Sequence, residues 1–137
     1  MSHTPGAFEV ETFTGRYVDT KFPVAGTICV EDIAHALSHV CRYGGHCSTF
    51  YSVAEHAVMC SVRVQRLRGG LDDQIAALHH DESEAYLGDI PRPMKGLLGK
   101  AYVRLTDRMD VAIITALGLR DGEANFHSKH VKRADNW

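Results

Sequence analysis

The rhythm of hydrophobic and polar positions changes several times along this chain, and each change marks an element. Over residues 8 to 23 the period is two: Phe8, Val10 and Thr12 alternate with Glu9 and Glu11. Phe13-Thr14-Gly15-Arg16-Tyr17-Val18 then reads as a turn between two short strands, closed by Pro23 and Gly26. From Val30 the period becomes helical, with Ile33, Leu37 and Val40 on one face up to Cys41. Gly44-Gly45 breaks that run. Ser52-Val53-Ala54-Glu55 has the form of a capping box, so a helix is expected to begin there, carry His56 in its first turns and end near Leu67, before Gly69-Gly70.

A further helix is expected from Asp72-Asp73 through Ile75 and Leu78 to about Leu87, with Gly88 as its C-cap. Asp89-Ile90-Pro91-Arg92-Pro93 reads as a proline-stiffened loop. Leu97, Leu98, Tyr102, Leu105, Met109, Ile113 and Leu117 predict a long helix from about Met94 to Leu117, stopped by Gly118. A last helix is expected from Ala124 to Trp137. The pattern therefore predicts an all-α bundle over residues 30–137, preceded by a β-like arm or hairpin over residues 1–29. There is no internal repeat and no low-complexity segment.

Composition narrows the picture. A chain of 137 residues suits one domain, and 45% hydrophobic with 23% charged residues is an ordinary globular balance. The formal net charge of −2 gives no basis for a surface that coats a polymeric nucleic acid. Basic clusters at Arg63, Arg66 and Arg68 and at Lys129 to Arg133 read as solvated helix faces. Cys29, Cys41, Cys47 and Cys60 form no C-x-x-C pair, which argues against a zinc knuckle. The first residues are polar and the apolar runs short, so neither a signal peptide nor a membrane span is expected. The expected location is the cytoplasm, with reduced thiols.

The strongest chemical signal is Leu78-His79-His80-Asp81-Glu82-Ser83-Glu84. An adjacent imidazole and carboxylate can hold a divalent metal that activates water. Glu84, four residues after His80, would share its helix face and could take a proton from that water. An adjacent His-Asp pair also arises by chance, and the alternative is a salt-bridged Asp81 and a solvated Glu84. The apolar flank from Ile75 to Leu78 tips the balance, because a carboxylate near a core needs a partner. His56 alone reads as a packing or surface histidine, although two core helices could bring it beside His80. Asp135, taken alone, reads as a solvated residue near the end of the chain. His35 and His39 are four apart, but Ala36 stands where the zinc-protease pattern requires glutamate, so helix packing is preferred there. His79 points about 100° away from His80 on a helix and reads as a supporting or core residue. The chain contains no G-x-x-x-x-G-K-[ST], G-x-G-x-x-G or G-x-S-x-G pattern.

Taken together and in order, these segments resemble the HD-domain metal-dependent phosphohydrolases, in the branch of bacterial 5'-deoxynucleotidases and phage nucleotide phosphohydrolases. Tyr51-Ser52-Val53-Ala54-Glu55-His56 resembles the segment with the first metal histidine, and His80-Asp81 the signature pair. Val131-Lys132-Arg133-Ala134-Asp135 resembles the segment with the last metal aspartate. His80 to Lys95 is similar to the branch's H-D-x-S-E-x-x-x-G-D-x-P-x-P-x-K block. The likeness spans residues 30–137. It implies that His56, His80, Asp81 and Asp135 hold one divalent transition metal, and two imidazoles with two carboxylates suit Mn, Co, Zn or Fe. It further implies roles in water activation and proton transfer for Glu84 and Asp89. Phosphate contact would fall to Arg42 and Lys95, stacking on sugar or base to Tyr43, and positional interest attaches to Arg92 and His46.

The implied activity is removal of phosphate from deoxynucleotides, with two substrate readings open: a 5'-deoxynucleotidase, or a phage-type dNTP or dATP phosphohydrolase acting in a host cytoplasm. The alternative from another class is a metal- or nucleotide-binding protein of the same fold without turnover. A cyclic-nucleotide or RNA phosphodiesterase would need a second set of metal ligands. Members of the branch form homodimers or larger rings such as hexamers, so a homo-oligomer is expected. They also continue the last helix beyond the metal aspartate, whereas here two residues follow Asp135. The expectation is a truncated protein or one completed by a neighbouring subunit.

Overall fold

The computed structural model describes residues 4–136. The fold is mostly helical, with one small antiparallel sheet. Strands β1 (Glu9–Glu11) and β2 (Tyr17–Asp19) pair with Val10 opposite Val18. The hairpin is tied to the helical part of the chain through Asp32, which accepts hydrogen bonds from the Thr14 N–H (2.8 Å) and hydroxyl (2.9 Å) and from the Cys29 thiol (3.2 Å). Val18 is fully buried in the same apolar cluster as Ile28, Ile33 and Leu37.

Six α-helices follow among the described residues: α1 (Val30–His39), α2 (Val53–Arg66), α3 (Leu71–His79), α4 (Glu84–Leu87), α5 (Arg92–Leu117) and α6 (Lys129–Asp135). Helix α2 is central and packs against α1, α3 and α6. It bridges two apolar clusters. Val53, at its start, belongs to a cluster with Ile33, Leu37, Met109 and Ile113. Cys60 and Val64, further along, belong to one with Ala76, Ala77, Phe126, Val131 and Ala134. His56 lies between the two on the buried face.

The expected start of α2 is present: the Ser52 hydroxyl accepts the Glu55 N–H at 3.0 Å. Gly118 ends α5 in the left-handed conformation. Three expectations are corrected. The helix expected from Asp72 to Leu87 is broken after His79, so His80 and Glu84 do not share one continuous helix. His80 Nδ1 donates to the Ala77 carbonyl at 2.6 Å and takes an acceptor that the helical backbone would otherwise use. The backbone then tightens into three-residue turns until α4 begins. The long helix begins at Arg92, inside the expected loop, because proline is well suited to a first helical turn; it is also kinked at Gly99, where φ is +58°. The last helix starts at Lys129, not Ala124. The Glu123 carboxylate binds the Arg120 N–H and guanidinium and shapes a turn, and Ser128 caps α6 by accepting the Val131 N–H. Trp137, the expected end of that helix, lies outside the described residues.

Candidate metal centre

Four residues from three elements converge on one point. His56 comes from α2, His80 and Asp81 from the turn after α3, and Asp135 from the last position of α6. His56 Nε2 stands 3.0 Å from Asp135 Oδ1 and 3.7 Å from Asp81 Oδ2. His80 Nε2 stands 3.2 Å from Asp81 Oδ2 and 3.6 Å from Asp135 Oδ1. Both imidazoles are almost fully buried.

The donor chemistry fits a divalent metal. The Ala77 carbonyl can only accept, so His80 Nδ1 carries the proton and Nε2 is directed into the cluster. His80 Nε2 is buried and has no hydrogen-bond partner despite the nearby carboxylates. At the other histidine, the Tyr51 hydroxyl stands 3.4 Å from His56 Nδ1 and helps to orient the ring.

Electrostatics agree with this clustering. Burial pulls the His80 imidazolium down, but Asp135 and Asp81 outweigh it and lift its pKa to about 10. The contacts with His56 and His80 hold Asp135 well below the usual carboxylate range, against burial. Burial also pushes Asp81 up, and the two histidines more than reverse this. The cluster therefore attracts positive charge, and a dication can take the place of the proton on His80.

Beside the cluster opens a cleft of about 360 Å³, lined by Arg42, Tyr43, Glu84, Asp89, Arg92 and Lys95 together with Asp81 and Asp135. Its size falls within the range of small-molecule sites. Arg42 and Tyr43 sit on the loop between α1 and α2, whose ends are clamped by the bridge between Cys41 and Ser52. Arg42 Nη1 is 3.6 Å from Asp81 Oδ2. Tyr43 adopts a left-handed backbone, φ +58°, unusual for a residue with a side chain, and its N–H donates to Asp89 Oδ2 at 3.1 Å. This bond joins the two walls of the cleft.

Glu84 is buried. Lys95 Nζ donates to its Oε1 at 3.3 Å, while Oε2 is buried without a partner. Burial, followed by the charges of Asp81 and Asp89, raises the Glu84 carboxyl to about 8, with Lys95 opposing. The metal, catalytic and substrate residues expected from the sequence thus all come to one place. His46 does not: it is exposed and lies off the cleft lining. His79 binds Glu82 at 2.6 Å, and His35 stacks between Phe13 and His39, so these histidines serve packing.

The sequence reading missed Cys60. It is fully buried on α2, one turn beyond His56, and burial followed by the nearby carboxylates pushes its thiol up to about 12. Only its spacing from His56 could have signalled it.

No family model matches the chain. It is similar to the uncharacterized protein YfdR of Escherichia coli, 41% identical over 110 residues, which cover 80% of this chain and 58% of that protein. It is also similar to an uncharacterized protein of Rhodobacter capsulatus, 39% identical over 110 residues, covering 77% of this chain and 56% of the relative. The matched region thus spans somewhat more than half the length of these relatives. No helix among the described residues is long and apolar enough to cross a membrane.

Proposed function

We propose that this chain is a metal-dependent phosphohydrolase of the HD-domain type, acting on deoxynucleotides. The observation that carries the reading is the convergence of His56, His80, Asp81 and Asp135 beside a cleft lined by Glu84 and Arg42. An acidic, histidine-containing cluster with a guanidinium 3.6 Å from one of its carboxylates can take a cation and an anion together, as a metal with a phosphate requires.

When bound, the ion supplies a Lewis acid that acidifies water and polarises a phosphoryl oxygen. The protein residues do the rest. Arg42 releases Asp81 and pairs with the incoming phosphate, for which its planar fork is suited. Glu84 orients the attacking water and accepts its proton, and Lys95 keeps the Glu84 carboxyl in place. Asp89 holds the Tyr43 backbone and returns a proton to the leaving oxygen. Tyr43 offers its exposed ring to a sugar or base. Arg92 lines the same cleft and adds a cationic group for a longer phosphate chain, so monophosphate and triphosphate substrates both enter the test.

The test is phosphate release from a panel of deoxynucleoside mono- and triphosphates by protein loaded with Mn, Co, Zn or Fe. Turnover of at least one nucleotide, lost in Asp81→Ala, is expected. Absence of release from every nucleotide, or wild-type behaviour of Asp81→Ala, overturns the proposal. Tight nucleotide binding without turnover would leave the non-catalytic reading in its place.

A further inference from the structure

The cluster contains a sulfur. Cys60 Sγ lies 3.4 Å from His56 Nε2. One donor atom from each of His56, Cys60, His80 and Asp135 lies within 4.8 Å of all the others. Helical geometry accounts for part of this, since residues four apart share a face. It does not account for the approach of Cys60 to His80 and Asp135, which belong to other elements.

The spacings suit a shared ion. Neighbouring ligands bound at about 2.3 Å (sulfur) and about 2.0–2.1 Å (nitrogen or oxygen) stand roughly 2.9–3.6 Å apart, from the right angles of a five- or six-coordinate ion to the wider angles of a tetrahedral one. The observed separations are 3.4 Å for Cys60–His56, 3.6 Å for His80–Asp135 and 3.0 Å for His56–Asp135. Direction also matters. Cys60 belongs to the apolar cluster of Val64, Ala76, Ala77 and Val131 and does not line the cleft, whereas Asp81 and Asp135 do. A sulfur ligand would thus close the inner side of the site and leave the cleft side to water and substrate.

We propose that Cys60 is a further protein ligand, bound as a thiolate, and that it biases the site towards Zn, Co or Fe and against Mg or Mn. This rests on the metal-centre reading above and deepens it. On binding, the S–H bond breaks, the proton passes to solvent and a sulfur–metal bond forms, with no change of oxidation state. Soft thiolate donors favour the later ions over oxygen-seeking ones. If Cys60 were only a packing residue with a weak S–H contact to His56, metal preference would not depend on its sulfur.

The experiment is the near-ultraviolet absorption of the cobalt(II)-loaded full chain, with zinc affinity measured by competition against a chromophoric chelator. Wild-type protein is expected to show a thiolate-to-cobalt charge-transfer band. The band should persist when Cys29, Cys41 and Cys47 are all replaced by serine and vanish in Cys60→Ser, which should also bind zinc about 10- to 100-fold more weakly. If the wild type binds one cobalt without the band, or Cys60→Ser keeps both the band and the zinc affinity, the sulfur is not a ligand and the His/Asp centre stands without it. If the wild type binds neither ion, the metal-centre reading itself fails and takes this inference with it. Should Cys60→Ser not fold, the wild-type and triple-serine spectra still decide the matter.

Discussion

His56 Nε2 and Asp135 Oδ1 stand 3.0 Å apart although 79 residues separate them in the chain. The contact joins the first turns of α2 to the end of α6 and makes the last turn of a short helix part of the candidate centre. Asp135→Ala is therefore expected to weaken zinc or cobalt binding by more than about 100-fold, beyond the cost of losing a supporting residue. Zinc at 100 times its dissociation constant should stabilise the wild type by about 2.7 kcal/mol, and chelation should remove the effect. Competition titration and thermal unfolding with and without chelator check both; undiminished affinity in the variant would take α6 out of the site.

Glu84 is buried beside Asp81, with one oxygen on Lys95 and the other unpartnered. Glu84→Gln keeps the shape and the Lys95 contact but cannot accept a proton. It is expected to lower kcat by about 10²- to 10⁴-fold while metal content stays constant. Steady-state kinetics alongside elemental analysis separate this from a loss of metal. Full activity in the variant would assign the proton to another group.

Arg42 Nη1 stands 3.6 Å from Asp81 Oδ2 at the edge of the candidate centre. Arg42→Lys preserves the charge but loses the bidentate fork, so kcat/KM is expected to fall by about 10- to 100-fold, the value of a charged hydrogen bond or two. The loss should appear mainly in KM. An unchanged KM for every nucleotide would mean that the phosphate binds elsewhere.

Asp32 is a structural carboxylate away from the cleft. Burial pushes its pKa up, but hydrogen bonds from Thr14, Thr12 and Cys29 more than compensate and hold it below the ordinary value of 3.8. The folded form thus binds its proton less readily than the unfolded form. Its contribution to stability is fully present above about pH 4 and is lost as pH falls through the folded-state value. Asp32→Asn places an amide N–H₂ against donors and should cost about 1–3 kcal/mol near neutral pH. The gap should narrow in acid. Urea midpoints at pH 7 and pH 3 measure it, and an equal gap at both would remove Asp32 from the acid response.

The helical order, the hairpin near the start, the Ser52 cap and the Gly118 stop could all be read directly from the chain. Each depends on residues within about one turn or one strand pair, where periodicity and cap chemistry act locally. The order His56, His80-Asp81 and Asp135 was legible as well, through a likeness of motifs. That likeness pointed to the residues without positioning them.

Tertiary structure decided what depends on distant partners. The break after His79 was hidden because the apolar period runs across it, while its cause is a side-chain bond from His80 to Ala77. Lys95, expected only as a phosphate contact, also tethers Glu84, and Asp89 braces the Tyr43 backbone across 46 positions. Cys60 had no distinguishing context in the chain, since a cysteine four residues after a histidine is an ordinary helical neighbour. The sequence by itself determined the order and approximate extent of the helical regions and which residues could carry chemistry, because those properties are local. The tertiary structure decided which donor atoms share one small volume, because that depends on how α2, α3 and α6 pack.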